Sequence, residues 1–265
     1  MAVCTGMDKR ILSRDGTELA YTRAGTGPAV ILVSGAMSTG GTVAPLAGLL
    51  SGRFTTLWYD RRGRGESGDT APYAVEREVE DLAALIDAAG GEAALYGISS
   101  GGALALRAAA DGLPVRRVAV YETPFALDAE GARGRAEYTA RLTEALAEGR
   151  RGDAVELFLR LTGLAEEMIK GARQSPMWAA MEGIAPTLAY DDAVMGDGLV
   201  PQERLASIDV PVLAVAGGES PDWLKQATRA VADAVPRGAY RTLEDQTHMV
   251  DPNALAPVLS EFFAP

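Results

Sequence analysis

The sequence predicts an α/β protein, in which helices cover both faces of a mostly parallel sheet and a block of helices is inserted after the sixth strand. Short apolar runs alternate with segments whose apolar residues recur at helical spacing. Such alternation implies right-handed crossovers between parallel strands. In addition, 265 residues with 48% apolar content are enough to bury one large core.

The first strands are predicted near the amino terminus. Residues 11–13 and 17–22 flank the turn signal at 14–16, which suggests an antiparallel hairpin. Continuous apolar runs at 29–33 and 54–59 follow, and such runs are typical of strands buried on both faces. The opening of the chain therefore supplies four of the predicted strands.

The alternation continues to residue 121. Apolar residues at helical spacing predict a helix from Val75 to Ile86 that closes at a pair of glycines. A strand over 92–96, a helix over 102–110 and a strand over 117–121 come next. The last of these is the sixth strand of the predicted sheet.

Strand signals stop between about residues 125 and 200. Three amphipathic patterns mark successive helices there: Tyr138, Leu142 and Leu146; Val155, Phe158 and Leu159; and Met177, Trp178 and Met181. Strands are predicted again at 210–216 and 240–243, with a helix after each. We therefore expect a core formed by residues 1–125 and 200–265, and a helical cap over 126–199 inserted after the sixth strand.

Charge and composition limit the classes of partner that this protein is expected to bind. A net charge of −11 argues against nucleic acid and anionic membranes, and no apolar run approaches the roughly 20 residues of a spanning helix. The single cysteine, Cys4, and the single histidine, His248, offer neither a disulfide framework nor a metal site. The first ten residues lack a signal-peptide pattern. We expect a cytoplasmic protein with a small-molecule substrate and no cofactor, its oligomeric state open.

Ser99 is the strongest candidate for a catalytic residue. It lies in the pattern G-x-S-x-G between a predicted strand and a predicted helix, a sharp turn that exposes the hydroxyl. Gly97 and Gly101 supply the small neighbours that the close crossing of strand and helix requires. The amino terminus of the helix also points at any negative charge that forms beside the serine.

A serine needs a base, and His248 is the one histidine of the chain. It follows the last predicted strand and so lies at the carboxyl edge of the sheet, where Ser99 also lies and where open α/β sheets bind ligands. The order of serine, acid and histidine along the chain favours a base over an ordinary surface histidine.

Several stretches now resemble the α/β-hydrolase family over nearly the whole chain. Residues 60–67 look like its D-x-R-G-x-G-x-S stretch, residues 246–248 like its histidine loop, and residues 209–213 like the segment that leads into its penultimate strand. The resemblance implies an α/β-hydrolase fold and a third catalytic residue, a carboxylate that orients the histidine.

The position of that carboxylate departs from the family pattern. In most members it lies three residues after a glycine that follows the penultimate strand, but here the count reaches Ser220 or Pro221. Two alternatives stay open. Glu122 ends the sixth strand, similar to the placement in some haloalkane-dehalogenase-like members, and we favour it. Asp222 is the second candidate, although an aspartate there is also a common start of a helix.

The resemblance also implies an oxyanion hole and a pocket. The donors would be the backbone N–H groups of Ser100 and Ala36, with Met37 lining the pocket and Ser34 standing where the family usually has histidine. Trp178 and Met181 could form the roof of the pocket, although packing between cap helices explains them as well.

Two glycine-rich stretches suggest nucleotide binding but lack its context. Residues 63–68 spell G-x-G-x-x-G, yet a turn rather than a helix follows. Residues 35–41 lack the Gly-Lys-Ser/Thr ending of a phosphate-binding loop. We expect neither to bind a nucleotide.

Three functions remain possible from sequence. The leading one is a serine hydrolase that cleaves an ester, thioester or lactone of a small, largely apolar molecule. The second is a lyase, cyclase or C–C-cleaving enzyme on the same fold, because fold does not dictate reaction and the acid is displaced. The third is a small-molecule receptor on a hydrolase scaffold.

Overall fold

A computed structural model describes residues 6–264, so Cys4 lies outside the described part. One eight-stranded sheet runs in the order β1-β2-β4-β3-β5-β6-β7-β8. The β1–β2 and β2–β4 pairs are antiparallel and the others are parallel. The strands are β1 Met7–Leu12, β2 Glu18–Ala24, β3 Ala29–Val33, β4 Thr55–Tyr59, β5 Ala93–Ile98, β6 Val115–Tyr121, β7 Val212–Gly217 and β8 Gly238–Leu243.

Helices occupy the intervals between most strands. They are α1 Ala44–Leu50, α2 Val75–Ala89, α3 Ser100–Ala110, α4 Ala129–Ala147, α5 Arg151–Leu161, α6 Glu166–Arg173, α7 Trp178–Ile184, α8 Leu188–Met195, α9 Gln202–Ala206, α10 Asp222–Ala234 and α11 Pro252–Phe263. Within residues 6–264, no helix is both long and apolar enough to cross a membrane.

The predicted architecture is confirmed. Every residue of β3 and of β7 is buried, because helices cover both faces of a parallel sheet. One apolar cluster joins the sheet to α2, α3 and α10, and a second joins the opposite face to α1 and α11. The carboxyl ends of the parallel strands therefore share one edge, between the two helical layers.

Some boundaries differ from the prediction. Strand β8 begins at Gly238 rather than 240, since Gly238 pairs with Val212 of β7. An edge strand needs no apolar residue at such a position, so a hydrophobic pattern misses it. The predicted strand over 117–121 likewise begins earlier, at Val115.

Six helices, α4 to α9, lie between β6 and β7 in the described part of the chain, and the first five form the segment from Ala126 to Leu199. The ends of this segment meet, because Ala126 forms a bridge with Leu199 and its N–H donates to Gly198 at 2.7 Å. A third apolar cluster joins α4, α5, α7 and α8, with Ala36 and Met37 of the core packed against it. The helical segment therefore covers the loop that follows β3.

Two of these helices, α6 and α8, were absent from the predicted set. In α8 the buried face includes Asp191 and Asp192 as well as Leu188 and Met195. Two carboxylates on a buried face break the apolar repeat that reveals an amphipathic helix.

Candidate active site

Ser99 lies at the sharp turn between β5 and α3. Its backbone has φ +56° and ψ −127°, a conformation that non-glycine residues rarely adopt. A Cβ on Gly97 would lie 2.6 Å from the Gly101 carbonyl carbon, and one on Gly101 would lie 2.5 Å from the Ser34 carbonyl oxygen. Both glycines are required because backbone crosses backbone here without room for a side chain.

Glu122 follows β6 directly and is fully buried. Its Oε2 lies 2.8 Å from His248 Nδ1, and its Oε1 accepts a hydrogen bond from the Gly217 N–H at 2.7 Å. The backbone has φ +47° and its N–H donates to Val215 O at 3.0 Å. Both carboxylate oxygens are therefore held, one by the end of β7 and one by the histidine loop.

His248 lies in the loop between β8 and α11, with its side chain 40% exposed. The hydroxyl of Tyr121 donates to the carbonyl of Thr247 at 2.6 Å and so ties this loop to the end of β6. The Ser99 N–H donates to the Tyr121 carbonyl at 2.9 Å. These contacts gather the segments of Ser99, Glu122 and His248 at one edge of the sheet.

Within residues 6–264, no hydrogen bond joins Ser99 Oγ to the His248 ring. Such contacts are often long in the absence of substrate and tighten in the reacting complex. Because the carboxylate accepts from Nδ1–H, the tautomer it favours leaves Nε2 free to accept a proton.

Asp222 lies away from this contact. It is the first residue of α10, its side chain is 86% exposed, and its Oδ1 lies 2.9 Å from Lys225 Nζ. Of the two candidate acids, the structure brings Glu122 to His248. Ser220, at the family's usual place for the acid, is buried.

Two backbone N–H groups were predicted as oxyanion donors. That of Ser100 is at the first position of α3, where no intrahelical acceptor exists. The loop carrying Ala36 passes beside the serine, since a Cβ on Gly35 would lie 3.1 Å from Ser99 Cβ and 3.7 Å from its Oγ. Both predicted donors therefore belong to segments that flank Ser99.

The three predicted pocket residues share one apolar cluster. Trp178 is buried in it, and Met37 and Met181 are partly buried against it. The cluster joins α4, α5, α7 and α8 to the loop after β3. These side chains pack together, and this packing accounts for them without a ligand.

Unusual backbone angles concentrate at this edge. Four non-glycine residues in the described part of the chain have positive φ: Met37, Ser99, Glu122 and Asp245. The first three belong to the predicted site. Strained residues persist only where surrounding contacts hold them, and they cluster at functional sites.

A group of buried charges beside the site was not among the predicted residues. Arg61 and Arg64, in the loop after β4, are buried and both bind Asp191 of α8 at 2.7 Å. Arg61 also pairs with Glu78 of α2 at 2.6 Å. The available signal in the sequence for these buried charges was the presence of three arginines among residues 61–64, at the carboxyl end of a buried strand.

These ion pairs change the titration of the carboxylates. Burial by itself raises the pKa of Asp191, but Arg64 and Arg61 outweigh burial and hold that pKa below its ordinary value. Glu78 is similar, because Arg61 overcomes the effect of burial and lowers its pKa. Both side chains therefore stay ionised, and the two arginines are neutralised by two carboxylates.

The loop that carries these arginines also contains the G-x-G-x-x-G stretch, residues 63–68. No helix follows it directly, since α2 begins only at Val75. Asp60, which opens the loop, accepts from the N–H groups of Gly40 at 2.8 Å and Glu66 at 2.9 Å. The glycines here serve a tight turn folded around Asp60 rather than a strand–helix junction.

A model of the alpha/beta hydrolase family matches residues 30–258, which include every element of the site. This chain belongs to the alpha/beta hydrolase family. The predicted family and fold are thereby confirmed. An alpha/beta hydrolase from Sphaerobacter thermophilus is 52% identical, with a TM-score of 0.90 over 97% of this chain and 100% of that one.

More distant solved structures share the fold. An esterase from Thermogutta terrifontis has 23% identity and a TM-score of 0.74, covering 97% of each chain. An enol-lactonase from Burkholderia xenovorans has 23% identity and a TM-score of 0.67, covering 96% of this chain and 99% of that one.

A curated relative matches only a part of this hydrolase. The polyketide synthase ThaQ of Burkholderia thailandensis is 36% identical over 96 residues, which are 36% of this chain. The match covers 5% of that much longer protein.

Proposed function

We propose that this protein is a serine hydrolase that cleaves an ester, thioester or lactone of a small, largely apolar molecule. The observation that carries the proposal is the 2.8 Å contact between Glu122 Oε2 and His248 Nδ1, at the sheet edge that also presents Ser99. A buried carboxylate fixes the imidazole tautomer and stabilises the imidazolium, which is the role of the acid in a catalytic triad.

The reaction begins at Ser99. Its Oγ attacks the substrate carbonyl carbon while Nε2 of His248 takes the hydroxyl proton. The oxyanion is held by the N–H groups of Ser100 and Ala36, helped by the positive end of α3. Collapse breaks the bond to the leaving group, which receives the proton from Nε2. Water then attacks the acyl carbon and gives a proton to the same nitrogen. The bond between that carbon and Ser99 Oγ breaks, the carboxylic acid leaves, and Nε2 returns the proton to Oγ.

An apolar substrate is supported by the surroundings of the donor loop. Ala36 and Met37 pack against the cluster that contains Trp178 and Met181. A substrate held between Ser99 and this cluster would meet apolar side chains, which favour an acyl or alkyl group over a charged one. The solved structures named for an esterase and an enol-lactonase share the fold and are consistent with this class.

The non-hydrolytic alternative was favoured by the displaced acid. Because Glu122 contacts His248, that reason no longer favours it, and we rank the hydrolase first. A receptor role differs from both in predicting ligand retention without turnover.

A fluorophosphonate probe, with intact mass and peptide mapping, tests the proposal. We expect one adduct on Ser99, and we expect hydrolysis of short-chain p-nitrophenyl esters to be lost in Ser99→Ala and in His248→Ala. Asp222→Asn is the control and should be labelled like the wild type. A native protein that gives no adduct, or turnover that survives Ser99→Ala, would overturn the serine hydrolase.

A further inference from the structure

A single carboxylate of helix α8, that of Asp191, links both segments that flank Ser99. Asp191 Oδ1 accepts hydrogen bonds from Ser100 Oγ and from Arg61 Nη1, each at 2.7 Å. Its Oδ2 accepts from Arg64 Nη2, also at 2.7 Å. Asp191 is only 4% exposed, so these three contacts satisfy a buried charge.

Through Arg64, Asp191 is also connected to the loop after β3. Arg64 Nη1 donates to the carbonyl oxygen of Gly35 at 2.7 Å, and Ser38 Oγ donates to the same oxygen at 2.7 Å. The carbonyl of Gly35 and the N–H of Ala36 belong to one peptide plane and point in opposite directions. Holding that carbonyl therefore sets the direction of the Ala36 N–H.

The contact between Asp191 and Ser100 bears on the other predicted donor, the Ser100 N–H. Ser100 is 4% exposed, and its hydroxyl is bound to Asp191, so the first residue of α3 is held by its side chain while its backbone N–H faces away from the helix. Each of the two proposed oxyanion donors is thus linked to one carboxylate, and Ser38 Oγ adds a second contact to the Gly35 carbonyl.

We propose that Asp191 is a positioning residue that aligns the Ser100 and Ala36 N–H groups for the oxyanion. This inference rests on the proposed function. Helix α8 then does more than cover the site, since it supplies a part of the support of the oxyanion hole. The positive charges of Arg61 and Arg64 are balanced by the negative charges of Asp191 and Glu78. This group of four side chains therefore adds no net charge beside the reacting carbonyl.

A purely structural role for Asp191 makes a different prediction. Helix α8 has other ties to the protein: the ring of Tyr190 stacks on that of Tyr73 at 3.8 Å, and Asp192 pairs with Arg135 at 2.9 Å. If Asp191 only anchored α8, its replacement would resemble that of Asp192, which is adjacent, buried and ion-paired but whose partner lies in α4.

The test compares Asp191→Asn with Asp192→Asn in the full-length protein. Oxyanion donors act on the transition state, and loss of one costs about 10²- to 10³-fold in rate. Misalignment is a milder defect, so we expect Asp191→Asn to lower kcat about 10- to 100-fold on a short-chain p-nitrophenyl ester with KM changed less than about threefold. Asp192→Asn should leave both constants within about threefold.

A second readout avoids turnover altogether. An aryl boronate that mimics the tetrahedral adduct should bind Asp191→Asn more weakly by the same factor as the loss in kcat, and Asp192→Asn as tightly as the wild type. If Asp191→Asn does not fold, Ser100→Ala replaces it, because that variant keeps the backbone donor and removes only the hydroxyl, which contacts Asp191 at 2.7 Å and Arg61 at 3.4 Å. We expect a severalfold to tenfold fall in kcat with little change in KM.

The outcomes separate the two proposals. If Ser99 is not labelled in the wild type, the hydrolase proposal and this inference both fail. If Ser99 is labelled but the two aspartate variants lose kcat equally, or Asp191→Asn raises KM alone, the serine hydrolase stands and Asp191 has no positioning role. A folded Ser100→Ala variant with wild-type kcat would likewise overturn the positioning role and leave the hydrolase standing.

Discussion

Replacing Glu122 by glutamine tests the acid most directly, because the structure predicts which way the amide turns. Glu122 Oε1 accepts the Gly217 N–H at 2.7 Å and Oε2 contacts His248 Nδ1 at 2.8 Å. Reversing the amide would set two N–H donors against each other in a fully buried site, at a cost of about 1–3 kcal/mol. The glutamine oxygen therefore stays with Gly217, and its NH₂ faces His248.

That orientation gives the histidine the wrong tautomer. Nδ1 must accept from the amide, so the ring proton moves to Nε2 and the base cannot take the proton of Ser99. A wrong tautomer in a triad lowers kcat by about 10⁴-fold, equivalent to about 5.5 kcal/mol of activation free energy. Thermal stability should change little by comparison, since the side chain keeps its shape.

Steady-state hydrolysis of a p-nitrophenyl ester measures the effect, with a thermal melt to establish folding. Asp222→Asn serves as the control and should stay within about twofold of wild type, because its side chain is exposed and pairs with Lys225. A Glu122→Gln variant within tenfold of wild-type kcat, or a larger loss in Asp222→Asn, would refute the assignment of Glu122.

Two further predictions concern folding. Gly97→Ala should destabilise the protein by at least about 1–3 kcal/mol and lower any hydrolysis of the p-nitrophenyl ester, because its Cβ would overlap backbone at the turn. Gly134→Ala in α4 should stabilise the protein by about 0.5–1 kcal/mol, because nothing lies within 4 Å of the added methyl. Urea denaturation of both variants measures the difference, and equal effects would contradict this prediction. Asp191 and Glu78 have pKa values held below the ordinary 3.8 and 4.5, so they bind fewer protons in the folded state and their stabilisation is present above those values and lost as pH falls below them. Denaturation between about pH 7 and pH 3 should therefore show a fall in unfolding free energy that Asp191→Asn makes shallower, and an unchanged slope in that variant would contradict the ion pairs.

Local sequence was sufficient to predict those features of the structure that depend on residues close together in the chain. The turn at Ser99 was predictable because the two flanking glycines are required by backbone overlap within the same strand–helix unit. The helix starting at Val75 and the strand over 29–33 followed from apolar spacing, since one face or both faces must be buried.

Contacts between segments that are distant in the sequence could not be predicted from residue patterns. Glu122 and Asp222 were both acids at the same edge, and only the position of the histidine loop, tied to β6 through Tyr121, distinguishes them. Likewise nothing in the run 61–64 shows that its arginines turn inward, because burial of a charge depends on partners supplied by α2 and α8.

The sequence alone determined the α/β class, the family, the strand-to-helix turn at Ser99 and a histidine at the same sheet edge. These features follow from residues close in the chain or from the order of elements. Tertiary structure decided that Glu122 rather than Asp222 meets His248, and that Asp191 links the Ser100 segment to the loop after β3. The reason is physical: a charge is buried only where distant segments bring its counter-charge, and the sequence does not state which segments meet.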